Sequence, residues 1–349
     1  MRTSPLLLAF AFGCGTAPSL EVLPGAGDHA DSKIMYGSAP DSVEHDATVA
    51  LHQLTNGGSS IYIQPFCTGT LITEDVVLTA AHCLDTSSHR RRVRAMNPGD
   101  LAIYVGDEPG AIDGSGNYDL LSHLYAVTEL EIHPSYNKSQ SDSDIAIVRL
   151  GAAVTEAAPI PHLPASEGLS SADVGAIVNF AGFGQDEFGG SGVKMQVDGT
   201  VGGLGCAVSG CPSSGNTATM VSYNQYAGDG GPCFGDSGGP MFVYRTTGTY
   251  VGGVTSYGDS TCTVYGVSTR VDAFEGWIDS FVGLGGGTGG TDGTGGTDTC
   301  GDGVCDAGES CDGRSATTAC ATDCDGVTNG RPSGRYCYVG DTCEGAGCP

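Results

Sequence analysis

The chain has 349 residues, with 14 Lys and Arg against 40 Asp and Glu, a formal charge of −26 at pH 7. That length supports a sizeable core and more than one domain. The charge argues against nucleic acid as a partner, since phosphates are repelled, and fifteen cysteines point to an oxidising compartment.

In chain order, Met1-Arg2-Thr3-Ser4-Pro5 and the apolar residues up to Phe12 read as a short export signal over residues 1–13. The run is too short to cross a bilayer, and no other stretch reaches about 18 unbroken apolar residues. The signal runs into Ala11-Phe12-Gly13-Cys14, which resembles a bacterial lipoprotein box. Six cysteines fall within residues 34–282 and eight within 300–349, so Cys14 is the odd one. Cys14 is therefore either the lipidated first residue of a chain anchored to a bacterial outer membrane, or a residue removed with the signal. A pro-segment follows over residues 14–33.

Beyond it, short apolar or alternating runs recur between turn clusters: Val76-Val77-Leu78, Leu101-Ala102-Ile103-Tyr104-Val105, Ile145-Ala146-Ile147-Val148 and Met241-Phe242-Val243-Tyr244. This pattern predicts an all-β domain, a barrel or a sandwich. Three chemical motifs punctuate the runs. They are Leu78-Thr79-Ala80-Ala81-His82-Cys83, Ser143-Asp144-Ile145-Ala146-Ile147-Val148-Arg149-Leu150 and Gly235-Asp236-Ser237-Gly238-Gly239-Pro240. A serine hydroxyl is a poor nucleophile until a base takes its proton and backbone donors hold the resulting oxyanion. Glycines around Ser237 let the backbone come that close to a substrate. Singly, each residue has a plainer reading: a turn serine, a packed histidine, a strand-edge acid. Asp142 competes with Asp144 for the last role. Together, in the order His, Asp, Ser, they point to nucleophilic catalysis.

Over residues 34–282 these motifs resemble the trypsin/chymotrypsin family of serine endopeptidases. The resemblance implies two antiparallel six-stranded β-barrels with the catalytic residues at their junction. It also implies a closing helix over Val271 to Phe281, packed by Trp277, the single tryptophan. It makes Ser237 the nucleophile, His82 the general base and Asp144 the residue that holds the imidazole. The N–H groups of Gly235 and Ser237 become the oxyanion hole. Ser32-Lys33-Ile34-Met35-Tyr36-Gly37 then resembles an activation site, where a cut after Lys33 frees the amino group of Ile34 to pair with Asp236. Gly231 falls at the pocket floor and carries no charge. Ser256-Tyr257-Gly258 matches the strand that pairs with substrate backbone, and Gly258 and Gly266 line the pocket walls. A large apolar residue is thus expected on the acyl side of the scissile bond, with Asp259 and Asp229 as the acids that would redirect the pocket toward basic residues. An apolar pocket does not suit Lys33, so an activating protease is expected as a partner. The resemblance pairs Cys67 with Cys83 and Cys233 with Cys262, which leaves Cys206 and Cys211 to pair locally.

Residues 283–299, almost all Gly, Thr and Asp, read as a flexible tether. Residues 300–349 carry eight cysteines and read as a small disulfide-stapled module. Its Cys300-Gly301-Asp302-Gly303 start resembles the cysteine-rich repeats that end exported proteins of myxobacteria. Asp302, Asp306, Glu309 and Asp312 read first as solvated acidic turns, with a Ca²⁺ site as the alternative. No other cofactor is expected. The whole reads as a secreted zymogen of a serine endopeptidase acting on proteins or peptides. The rival from another class is an inactive protease fold that binds a cell-surface partner.

Overall fold

A computed structural model of the chain describes residues 19–22, 34–57, 60–89, 92–112, 118–212, 215–226 and 230–283, together with four short strands of the tail. Cys14, Lys33, Asp229, Asp302, Asp306, Asp312 and the linker beyond Gly283 lie outside the described residues. Only the backbone of Glu309 falls within them. Contacts divide the chain into two compact units, residues 1–275 and 276–349.

The first unit holds two sheets. In the first, the strands are β1 (Ser19–Val22), β2 (Thr48–Asn56), β3 (Ser60–Leu71), β4 (Val76–Thr79), β5 (Leu101–Tyr104), β6 (Leu124–Ile132) and β7 (Ala146–Leu150), ordered β1-β3-β2-β5-β6-β7-β4. A further β3–β4 ladder closes β2 to β7 into a six-stranded barrel. Strands buried on both faces read as unbroken apolar runs, which is why Val76–Leu78 and Ala146–Val148 do not alternate. β1 adds to the barrel in parallel, with Ser19 opposite Ser60.

The second sheet comprises β8 (Ile177–Gly182), β9 (Met195–Thr200), β10 (Gly203–Leu204), β11 (Met220–Asn224), β12 (Pro240–Arg245), β13 (Gly248–Gly258) and β14 (Tyr265–Arg270). Its order is β10-β11-β14-β13-β12-β8-β9. It curls into a half-barrel: β10 has two residues, and no ladder among the described residues joins it to β9. Ile34, Phe180, Val221, Tyr223, Met241 and Val243 fill its core, and Phe183, just after β8, packs with Ala50, Ile63, Tyr104 and Leu120 of the first sheet's side.

The helices are short: α1 (Val43–Asp46), α2 (Ala81–Leu84), α3 (Asp119–Ser122) and the closing α4 (Glu275–Val282), which a 3₁₀ turn over Asp272–Phe274 precedes. The fold is thus all-β with a C-terminal helix, in agreement with the sequence. In the tail, β15 (Glu309–Ser310) pairs with β16 (Thr318–Ala319), and β17 (Cys337–Val339) with β18 (Thr342–Glu344). No helix among the described residues is long and apolar enough to cross a membrane.

Candidate active site

β4 ends at Thr79 and the chain turns at once into α2, whose second residue is His82. The Cys67–Cys83 disulfide ties that turn to β3. Asp144 sits at the entry to β7, on a bend where Ser141 and Ser143 both adopt positive φ, 50° and 52°. Non-glycine residues rarely take that conformation. It is held here by Thr269 Oγ1, which donates to the Asp144 carbonyl at 3.0 Å.

The Asp144 side chain is buried and accepts three hydrogen bonds. Its Oδ1 takes the backbone N–H of His82 at 2.8 Å, and its Oδ2 lies 2.7 Å from His82 Nδ1. The third comes from Ser256 Oγ, at 2.5 Å from Oδ2. Ser256 reaches it because the β13–β14 register shifts between Thr255 and Tyr257, which makes Ser256 the extra residue of a bulge. Bulges re-aim side chains in this way. Desolvation pulls the His82 imidazole toward neutrality, but the charge and hydrogen bond of Asp144 outweigh it and hold its pKa above the ordinary value. Asp142, the competing acid, is occupied elsewhere. It accepts from Ser143 N at 2.8 Å, Thr219 Oγ1 at 2.5 Å and Asn216 Nδ2 at 3.1 Å.

Ser237 lies on the loop that leads into β12. Its carbonyl accepts from Thr68 N at 2.9 Å, and the next residue, Gly238, donates to Thr255 O at 2.8 Å. Gly238 has φ +84°, and a Cβ there would collide with Thr79 Oγ1 and the Thr68 carbonyl. Glycine is thus what lets this loop lie against the end of β4, next to the turn bearing His82. The Gly235 carbonyl accepts from Thr68 Oγ1 at 2.8 Å, which pins that peptide. Among the described residues, the N–H groups of Gly235 and Ser237 meet no acceptor.

His82 and Ser237 border one cavity of about 430 Å³. Ser256, Tyr257, Gly258 and Gly266 line it too, with Tyr223, Gln225, Pro232 and the Cys233–Cys262 disulfide. Gly231 lies behind this lining: a Cβ on it would collide with the Gln225 amide. Asp259 borders the cavity, but Thr261 N, Thr261 Oγ1 and Val264 N all donate to its carboxylate. Burial opposes ionisation, yet these bonds hold its pKa far below the usual carboxylate range. Cys206 and Cys211 form the third disulfide of the first unit.

Asp236, beside Ser237, is wholly enclosed. Its carboxylate accepts from Gly184 N and Cys233 N, each at 2.8 Å. Burial outweighs those two donors and pushes its pKa up to about 7. Ile34 is fully buried, and the following Met35 pairs with Gly231, whose N–H donates to Met35 O at 3.1 Å. Neither Gln225 nor the bulge at Ser256 carries a signal in the sequence. A buried glutamine in a Gln-Tyr loop has no signature, and a bulge is a property of two strands.

A trypsin-type double β-fold with an acid–imidazole pair beside a serine loop defines a class of hydrolases, and comparison with known proteins agrees. Residues 37–278 match the trypsin family's profile, and the chain belongs to that family of serine endopeptidases. Similar proteins include the vitellin-degrading protease of Bombyx mori, 29% identical over 79% of this chain and 94% of that protein. Brachyurin of Leptuca pugilator is 32% identical over 63% of this chain and 88% of its own length. The phenoloxidase-activating factor 3 of Holotrichia diomphalia is 28% identical over 71% and 72%.

Proposed function

We propose that the chain is a secreted serine endopeptidase, made as a zymogen, in which Ser237, His82 and Asp144 are the catalytic residues. The observation that carries this reading is one cavity bordered by both Ser237 and a His82 already hydrogen-bonded to buried Asp144. Ser237 Oγ attacks the scissile carbonyl carbon while its proton passes to His82 Nε2. The unspent N–H groups of Gly235 and Ser237 hold the oxyanion, a contribution of about 3 kcal/mol per donor. The C–N bond then breaks, and His82 returns the proton to the leaving amine. Water, deprotonated by His82, hydrolyses the acyl ester and restores the serine. Asp144 keeps the Nδ1 proton in place, so Nε2 is the free base.

Activation follows cleavage after Lys33. Asp236 is a buried acid with no cation beside it among the described residues, a costly state for a carboxylate. The new ammonium of Ile34 supplies that cation, and the Met35–Gly231 pairing couples this segment to the chain just behind the pocket lining. Among the described residues the pocket has no unspent acid for Lys33, so a second protease makes the cut. A relative whose name describes the activation of another enzyme accords with such a cascade. The preferred acyl-side residue is large and apolar. The signal exports the chain, Cys14 carries a lipid anchor, and cleavage after Lys33 releases the enzyme from it. Residues 34–282 form the catalytic domain, and the module over 300–349 meets a cell-surface partner.

Fluorophosphonate labelling tests the core of this reading. Label is expected on protein whose sequenced N-terminus is Ile34, and none on Ser237→Ala. Correctly matured protein that takes no label would instead be the inactive surface-binding protein.

A further inference from the structure

Gln225 lines the cavity that His82 and Ser237 border. Gln225 is 1% exposed, and its Nε2 donates to the Pro232 carbonyl at 2.7 Å. That bond fixes which end of the amide is nitrogen and turns Oε1 the other way. Oε1 faces Gly258, whose Cβ position lies 3.5 Å from it, and Gly258 borders the cavity. No donor meets Oε1 among the described residues. A Cβ on Gly231 would collide with the same amide, so the bare glycine behind the lining is what admits Gln225. Tyr223, Pro232, Gly266 and the Cys233–Cys262 disulfide give the same cavity apolar surface, alongside the polar Thr255, Ser256, Asp259 and Ser260.

Resting on the endopeptidase reading above, we infer that Gln225 sets specificity by presenting a lone hydrogen-bond acceptor to the side-chain slot that this cavity provides. The substrate side chain it selects is aromatic with a hydroxyl at its tip, tyrosine over phenylalanine. A phenylalanine ring that fills the slot strands Oε1 without a partner, whereas a tyrosine hydroxyl donates to it. An acceptor left unmade when water is displaced is penalised, and that penalty favours the donor-bearing substrate. Lysine and arginine also carry donors, but they would bury a charge against a neutral amide. The nearby Asp259 carboxylate is spent on its own turn. An unpaired buried charge is disfavoured far more than an unpaired dipole.

The test uses the matured enzyme and peptide anilides that differ only in the acyl-side residue. Tyrosine is expected to exceed phenylalanine in kcat/KM by about tenfold, with lysine far below both. Gln225→Met is expected to bring the Tyr/Phe ratio close to one, because the ratio cancels any loss of folded enzyme. Gln225→Glu, close in shape, is expected to raise lysine relative to phenylalanine. Equal cleavage after Tyr and Phe by wild type, or an unchanged ratio in Gln225→Met, overturns the assignment. Fluorophosphonate labelling separates the two levels. A matured protein that never labels sinks the endopeptidase reading, while one that labels but does not discriminate sinks only the role of Gln225.

Discussion

Lys138 Nζ lies 2.8 Å from Asp85 Oδ2, and this ion pair joins the turn that carries His82 to the loop that carries Asp144. Asp85 directly follows α2, and its Oδ1 accepts from Ser87 N and Arg94 N at 2.9 Å each. Burial works against its ionisation, but the Lys138 bond and those backbone donors hold its pKa below the ordinary range. The Asp85 side chain is 1% exposed and that of Lys138 31%, so one end of the pair is enclosed and the other is partly wet.

Lys138→Met therefore strands a buried carboxylate. The expected cost is about 2 kcal/mol, below that of a fully enclosed pair because Lys138 meets solvent. If the pair aligns His82 with Asp144, kcat should fall about tenfold with KM little changed, and the acid limb of the rate profile should move to lower pH. Lys138→Arg should recover most of the loss. A purely structural pair would lower the melting temperature and leave the pH profile where it was.

The sign of that profile is set at His82. Its pKa is held above 6.5 by Asp144, so kcat/KM should fall on the acid side with an apparent pKa above that value. Asp144→Asn should cut kcat by about 10⁴-fold and move the limb down. Ser256→Ala should move it up, because Asp144 Oδ2 then loses its 2.5 Å donor and attracts the imidazole proton more strongly. Opposite shifts from two neighbours of one carboxylate are a sharper check than loss of rate. Shifts of the same sign would count against the network.

Much of this arrangement was legible in the chain because the chemistry is carried by short local motifs. The runs at 76–78, 101–105 and 241–244 lie in or at the edges of β4, β5 and β12, because strand burial leaves its mark on consecutive residues. The three glycines at 235, 238 and 239 around Ser237 likewise announce a close backbone approach. What stayed hidden depends on chain segments meeting across the fold. The ring closure made by the β3–β4 ladder, the bulge that aims Ser256, and the insertion of Gln225 between Gly231 and Gly258 are all of this kind. Asp85 and Lys138 are separated by 53 residues, and nothing local in either segment marks them as partners.

The cradle of Asp236 offers a steric check. A Cβ on Gly184 would collide with the Asp236 carboxylate and come within 2.6 Å of its backbone nitrogen; one on Gly182 would strike Oδ1. Gly184→Ala should abolish activity and destabilise the fold by about 2–3 kcal/mol through overpacking. Gly276→Ala is the contrast: nothing lies within 4 Å of its Cβ position, on α4. That change should stabilise by about 0.5–1 kcal/mol through helix propensity. Unfolding in urea would measure both. A Gly184→Ala enzyme with full activity would mean that the Asp236 loop yields freely.

The final expectation concerns two buried groups with opposed linkage. Asp236 is pushed up to about 7, so between pH 3.8 and 7 the uncleaved folded chain holds a proton that the unfolded chain has released. Raising pH through that window costs stability, about 4 kcal/mol in all. His52 is pushed down to about 4 by burial, with its Nδ1 lacking a partner. Between pH 4 and 6.5 the unfolded chain holds the extra proton, so raising pH adds stability, about 3 kcal/mol. In the zymogen the two slopes oppose each other and nearly cancel. Once an Ile34 ammonium pairs with Asp236, that carboxyl ionises at low pH and its slope disappears, leaving His52 alone. Ser237→Ala protein, compared before and after cleavage at pH 4.5 and 6.5, isolates the effect, since other groups titrate alike in both forms. The cleaved form should gain about 2–3 kcal/mol over the uncleaved one on going from pH 4.5 to 6.5. An uncleaved Asp236→Asn variant should follow the cleaved form. Parallel pH dependence before and after cleavage would show that Asp236 never receives the new terminus.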